Sequence, residues 1–150
     1  MTTALWLLAL QGAIGAFDTV YYHEWRARLP ALPGARAELR LHALRALVYT
    51  VLFALLPRVE WRGAWAYVLG SLLAAEIFIT LRDFVVEDRV RAPLGGLYAG
   101  ERTTHTLMAI IYGAMLANLA PAWLGWSRAE TALAATRAPR AEGSRAARRR

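Results

Sequence analysis

The chain has 150 residues, a formal net charge of +7 and no cysteine. That length suits one domain, and the missing cysteines exclude disulfides and thiolate metal ligands. A hydrophobic content of 57% with a mean hydropathy of +0.30 is too apolar for an ordinary soluble domain.

Four apolar stretches, near residues 3–25, 38–56, 65–86 and 103–123, are long enough to cross a bilayer as helices, which takes about 20 residues. The first has no basic flank, carries Asp18 and lacks a small-residue cleavage site, so it reads as a retained helix rather than a signal peptide. No segment reads as a strand, because the apolar runs are long and lack two-residue alternation. These features predict an all-α integral membrane four-helix bundle built from two tandem helical-hairpin repeats, approximately 4–56 and 65–124, within a transmembrane domain spanning 1–126. The remaining residues, 127–150, are rich in Ala and Arg. They are too poor in large apolar side chains to fold alone and are expected to be a disordered tail, with an anionic-lipid or nucleic-acid contact as its functional reading.

The repeat is carried by polar residues. Gln11, Asp18, Tyr22 and Arg26 recur 65 positions later as Glu76, Asp83, Glu87 and Arg91. Pro30, Glu38, His42 and Tyr49 recur 63 positions later as Pro93, Glu101, His105 and Tyr112. At helical spacing each stretch gains one polar stripe. The stripes are Gln11, Asp18, Tyr22 and Trp25 in the first, and Glu38, His42, Arg45 and Tyr49 in the second. In the third they are Glu76, Thr80, Asp83 and Glu87, and in the fourth Glu101, His105, Met108 and Tyr112. Such stripes avoid lipid only by facing one another, which predicts a polar interior near the side of the 26–37 and 88–102 loops. His23 lies about 140° around the helix from Asp18 at 100° per residue, and is therefore expected at the interface, outside the cluster.

The loop side carries Arg26, Arg28, Arg36, Arg40, Arg89, Arg91 and Arg102. By the positive-inside rule it is expected to face the cytoplasm, in a bacterial inner membrane. The Arg-rich tail, emerging on the other side, argues the opposite way.

Imidazole and carboxylate together suit iron, manganese or zinc. Each Glu-x3-His pair places both side chains on one helix face, and Asp18 and Asp83 add further or bridging carboxylates. The order of carboxylate helix, Glu/His helix, carboxylate helix, Glu/His helix resembles the layout of ferritin-like di-iron carboxylate bundles, with Glu-x3-His here in place of Glu-x2-His. That resemblance implies Asp18, Glu38, His42, Asp83, Glu101 and His105 as ligands of a divalent metal, iron first. Tyr49, Tyr112, Glu76, Glu87 and Tyr22 would then surround them. The chain as a whole also resembles small bacterial four-helix membrane proteins, which implies no activity.

Several readings stay open. One is a metal-binding protein, such as a non-haem di-iron oxidoreductase acting on a lipid or quinone. Another is a structural or accessory membrane subunit held together by an Arg–carboxylate–His network. A third is a haem b carrier with His42 and His105 as axial ligands, and a fourth is a proton or cation path. Nothing resembles a nucleotide-binding loop, and Ser71, Ser127 and Ser144 have no histidine near them in the predicted topology, which argues against a serine hydrolase.

Overall fold

The computed structural model describes residues 1–136. Four helices carry nearly all of it. Helix α1 spans Thr2–Asp18 and runs on as a π-helix over Thr19–Arg26; α2 spans Arg36–Leu55, α3 Ala64–Arg91 and α4 Ala99–Ser127. Short 3-10 turns at Leu29–Ala31 and Ala92–Leu94 follow α1 and α3. Each contains one proline, Pro30 or Pro93, which has no N–H to continue the preceding helix. The architecture is the expected all-α bundle.

Three helical stretches are long and apolar enough to cross a membrane: Thr2–Arg26, Ala64–Leu94 and Ala99–Ser127. Helix α2, expected as a fourth, falls short of that standard among the described residues. Arg36, Glu38, Arg40 and Arg45 crowd its first half. Its outward positions are nevertheless apolar, with Leu44, Leu47 and Phe53 exposed.

Helix α1 packs along α4, and α2 along α3, so each helix leans mainly on a member of the other hairpin. The interior has two storeys. Toward the termini, Ala4, Leu8, Leu52, Leu69, Met115 and Leu119 form part of one apolar cluster. Toward the loops, the buried side chains include Asp18, His23, Glu38, Asp83, Arg91 and Glu101. Gln11, Tyr49 and Glu76 mark the boundary between the two, joined by hydrogen bonds of 3.1 Å from Gln11 Nε2 to Tyr49 Oη and 3.1 Å from Tyr49 Oη to Glu76 Oε1.

The structure corrects the expectation that no segment is a strand. Strand β1, Val59–Arg62, pairs antiparallel with β2, Ala132–Ala135, with Trp61 opposite Leu133. Both strands are only four residues long, too short for alternation to register in a sequence. The Ala-rich β2 has little strand propensity of its own; backbone pairing to β1 holds it. The expected disordered tail thus begins with an ordered strand, and its remaining part, residues 137–150, lies outside the described residues. The ladder ties the end of α4 to the start of α3. Gly63 N donates to Trp126 O at 2.8 Å, Ala64 N donates to Thr131 Oγ1 at 3.1 Å, and Trp61 is buried at 3% exposure.

Gly63 has φ +57°, and a Cβ there would meet the Thr131 backbone at 2.6 and 2.7 Å. Gly63→Ala is expected to lower stability by about 1–3 kcal/mol, from backbone strain and the displaced Thr131. Thermal unfolding in detergent would show this as a reduced Tm, while Gly34→Ala, where a Cβ meets nothing within 4 Å, serves as the control.

Candidate metal centre

The packing of α1 on α4 and of α2 on α3 brings each aspartate to the histidine of the other hairpin. His105 Nε2 lies 3.1 Å from Asp18 Oδ2, and His42 Nε2 lies 2.9 Å from Asp83 Oδ2. Arg45, three residues beyond His42 on the same face of α2, donates to Asp83 Oδ2 at 3.2 Å and stands 3.7 Å from Glu76 Oε1. Glu76 also accepts a hydrogen bond of 2.9 Å from Thr80.

Glu38 and Glu101 meet at Arg91, whose Nη2 donates to Glu38 Oε1 at 3.0 Å and to Glu101 Oε1 at 2.7 Å. All three are essentially sealed from solvent, at 1% exposure or less. Arg91 can reach this depth because α3 stays α-helical through it, with Asp83, Glu87 and Arg91 at four-residue intervals on one face. The two glutamates expected as metal ligands therefore each give one oxygen to a guanidinium. Their Oε2 atoms have no hydrogen-bond partner among the described residues.

His23 is the site residue that helical geometry misplaced. It is buried at 4% exposure, with Nε2 3.3 Å from Asp18 Oδ2 and 3.2 Å from Glu101 Oε1. Its ring stacks on His42 at 4.4 Å with 9° between the planes. The cause is the π-helix over Thr19–Arg26, where Ala27 N donates to Tyr22 O, five residues back. Five-residue hydrogen bonding swings His23 onto the face of Asp18, which an α-helix would not do. The sequence signal available was the Asp18–His23 interval of five, read with a π rather than an α period. Its counterpart in the other hairpin, Asp88, is exposed on regular α-helix.

The remaining predicted residues divide. Glu87 Oε1 is 3.4 Å from His105 Nδ1, within the cluster. Tyr49 reaches Glu76 as described, and Tyr112 donates to the Leu73 carbonyl at 3.0 Å, facing the apolar storey. Tyr22 turns away. Its hydroxyl packs on Gly100 and its ring stacks on Tyr98 with centroids 6.4 Å apart. Trp25, placed on the polar face from the sequence, is 67% exposed. Arg26 is exposed too, with its guanidinium 4.6 Å from the centre of the Tyr98 ring, whereas its counterpart Arg91 is buried.

Two groups bring their ligand atoms within 4.8 Å of one another: Asp18, His23 and His105, and His23, Glu38 and His42. They share His23. Both ring nitrogens of His23 lack a hydrogen-bond partner among the described residues, as do Asp18 Oδ1, Asp83 Oδ1 and Glu87 Oε2. Buried polar atoms are ordinarily satisfied, and imidazole with carboxylate is a donor set for a borderline or hard divalent cation. The residues fit a metal, and these buried groups could hold one. No family model, curated protein or solved structure matches the chain.

Arg91→Met is expected to destabilise the bundle by about 3–5 kcal/mol, because two buried carboxylates lose their cation. Adding Glu38→Gln and Glu101→Gln should restore part of that loss. Denaturant titration of the three proteins, followed by helical circular dichroism, checks both expectations.

Proposed function

We propose that the protein is a membrane-embedded metal-binding protein whose site is formed by Asp18, His23, Glu38, His42, Asp83, Glu87, Glu101 and His105. The observation that carries this reading is His23, buried with Nε2 3.2 and 3.3 Å from Glu101 and Asp18 and with neither ring nitrogen in a hydrogen bond among the described residues. Charge supports it. Asp18, Glu38, Glu76, Asp83, Glu87 and Glu101 are all buried, and the guanidiniums among them are Arg45 and Arg91. With every acid ionised and every histidine neutral, the two guanidiniums leave four negative charges, which two divalent cations would balance; without an ion, protonation of His23, His42 and His105 would cover three of the four. Buried charge without such compensation is costly.

Iron is the metal we favour, with manganese and zinc as alternatives. A bound redox metal would supply the electron-transfer chemistry of a non-haem oxidoreductase acting on a hydrophobic substrate. The chain's own part is to hold the donors. Asp18 and Asp83 orient His105 and His42, while Arg91 fixes one oxygen of Glu38 and of Glu101. The apolar storey beneath keeps water from the far side. Matched polar positions in the two hairpins support their reading as tandem repeats. The stacking of His42 on His23 favours a non-haem ion over haem b. Exposed arginines around the loops support a cytoplasmic position for the site in a bacterial inner membrane.

A structural role is the second reading, and Arg91 is the observation that favours it. A guanidinium bridging two glutamates at 3.0 and 2.7 Å is what a purely structural clamp would contain.

Elemental analysis of detergent-purified protein tests the choice. Wild type is expected to carry stoichiometric metal. His23→Ala should lose as much of it as the His42→Ala/His105→Ala pair, since both ligand groups pass through His23. Occupancy should fall on acidification, because protons compete for imidazole and carboxylate donors. A folded wild type that takes up no metal after supplementation overturns the metal reading and leaves the structural one.

A further inference from the structure

The polar storey opens to the outside through a cleft between α1 and α2, the two helices of the first hairpin, which pack mainly on other partners. Its volume is about 840 Å³, within the range of roughly 300–1,000 Å³ usual for sites holding one small molecule. One end is walled by Asp18, His23 and His42, and the other by Phe53, Ala54 and Arg58. Between them Gly15, Ala16 and Ala46 leave space, and the polar side chains that also line the wall are engaged within the chain, Gln11 with Tyr49, Tyr49 with Glu76, Arg45 with Asp83 and Thr50 with the Ala46 carbonyl. Helix α2 rises roughly 20 Å from His42 to its end at Leu55, about two-thirds of the ~30 Å hydrocarbon thickness of a bilayer.

The two ends differ in charge. Acids outnumber guanidiniums around His23 and His42. The Arg58 side chain donates through Nη1 alone, to the carbonyls of Phe53 and Ala54 at 3.4 and 2.6 Å, and makes no ion pair among the described residues. It follows α2 directly and precedes β1, beside Trp61 and Trp65, whose type belongs at a membrane interface. An anionic head is therefore attracted to Arg58, because Arg45 at the other end is already paired with Asp83 and Glu76, and the small-residue stretch between, whose polar neighbours are hydrogen-bonded within the chain, can take an apolar chain. A neutral head drawn in beside Asp18 would have to leave the interface for the bundle interior, at the cost of its hydration.

We propose that this cleft takes a long-chain fatty acid from the bilayer, with its carboxylate at Arg58 and the methyl end of its chain at His23 and His42. This names the substrate class for the metal site. It rests on that reading for any turnover, but not for binding. The chain would enter sideways from lipid, and the cluster would meet carbons remote from the head.

The test uses the full chain in phosphatidylcholine nanodiscs with a fatty acid that carries a diazirine at its methyl end. After illumination, mass spectrometry locates the label. Labelling is expected in peptides containing Thr19–His23 and His42–Ala46. Arg58→Gln, which keeps side-chain donors for the α2 carbonyls, should reduce it about tenfold, as for loss of a charge-assisted hydrogen bond. Ala46→Trp, which fills the cleft outside the ligand set, should abolish it. Metal content and Tm are measured on the same preparations. Metal-free protein with labelling intact would sink the metal reading and leave the cleft proposal standing. Label concentrated at Phe53–Arg58 would mean head-first binding and overturn the proposal. So would label scattered over lipid-facing helices and indifferent to either substitution.

Discussion

Six carboxylates buried in a small apolar bundle are the constraint on which its arrangement depends. Leaving any of them unpaired would cost more than a typical domain's margin of stability allows. Each distinctive feature of the loop-side half answers that demand. The cross-packing of the hairpins gives Asp18 and Asp83 a histidine each. The unbroken course of α3 delivers Arg91 to Glu38 and Glu101. The π stretch after α1 turns His23 inward, to stand between Asp18 and Glu101. The opposite half carries the apolar cluster and the β1–β2 tie. It contributes packing that makes a polar half sustainable, since burial of aliphatic side chains at roughly 25 cal/mol per Å² has to offset the desolvation at the other end.

Much of this was legible in the chain, and for one reason. Polar residues inside apolar helices are conspicuous, and a single helical period converts their spacing into a face. Asp18, His42, Asp83, Glu101 and His105 fell on inward faces in this way, and Tyr49 followed on the same stripe as His42. The same rule failed wherever the local period or the partner differed from the assumption. His23 lies on a stretch with five-residue hydrogen bonding, so a projection at 100° per residue sent it outward. Tyr22 and Trp25, on that same stretch, were sent inward and instead lie toward Tyr98 and toward the outside. Arg91 was visible as a possible partner of acids, but spacing alone does not say that it spans two of them. The β1–β2 ladder depends on contact between residues 70 to 76 apart in sequence, and its four-residue strands carry no periodic signal.

Charge and burial also explain why α2 differs from its neighbours. It supplies Glu38, His42 and Arg45 to the interior, and its first turns carry Arg36 and Arg40 on the outside. Those groups lower its hydropathy below that of the other three helices. It keeps its place through ion pairs to Asp83 and Glu76 on α3 and through Val48 and Leu52 in the apolar cluster. The least apolar of the four helices thus docks partly through residues that it gives to the polar interior. The cleft runs along the side of α2 that faces α1, where His42, Arg45 and Tyr49 also line it and Gly12 sits against the Phe53 ring.

The differences between the hairpins matter as much as their matched positions. Had the first hairpin kept a regular α-helix through Arg26, that arginine would stand where Arg91 stands in the second. The interior would then gain a fixed positive charge and lose an imidazole. Such a cluster would carry one negative charge fewer and offer one imidazole fewer to an ion. Instead Arg26 lies outside against Tyr98, and His23 takes the inward position. The exchange removes a permanent cation from among the carboxylates and puts in its place a side chain whose charge is optional and whose nitrogens can act as ligands. The π stretch, a local departure from the regular helix, is therefore the feature that brings His23 into both groups of side chains that could hold a metal.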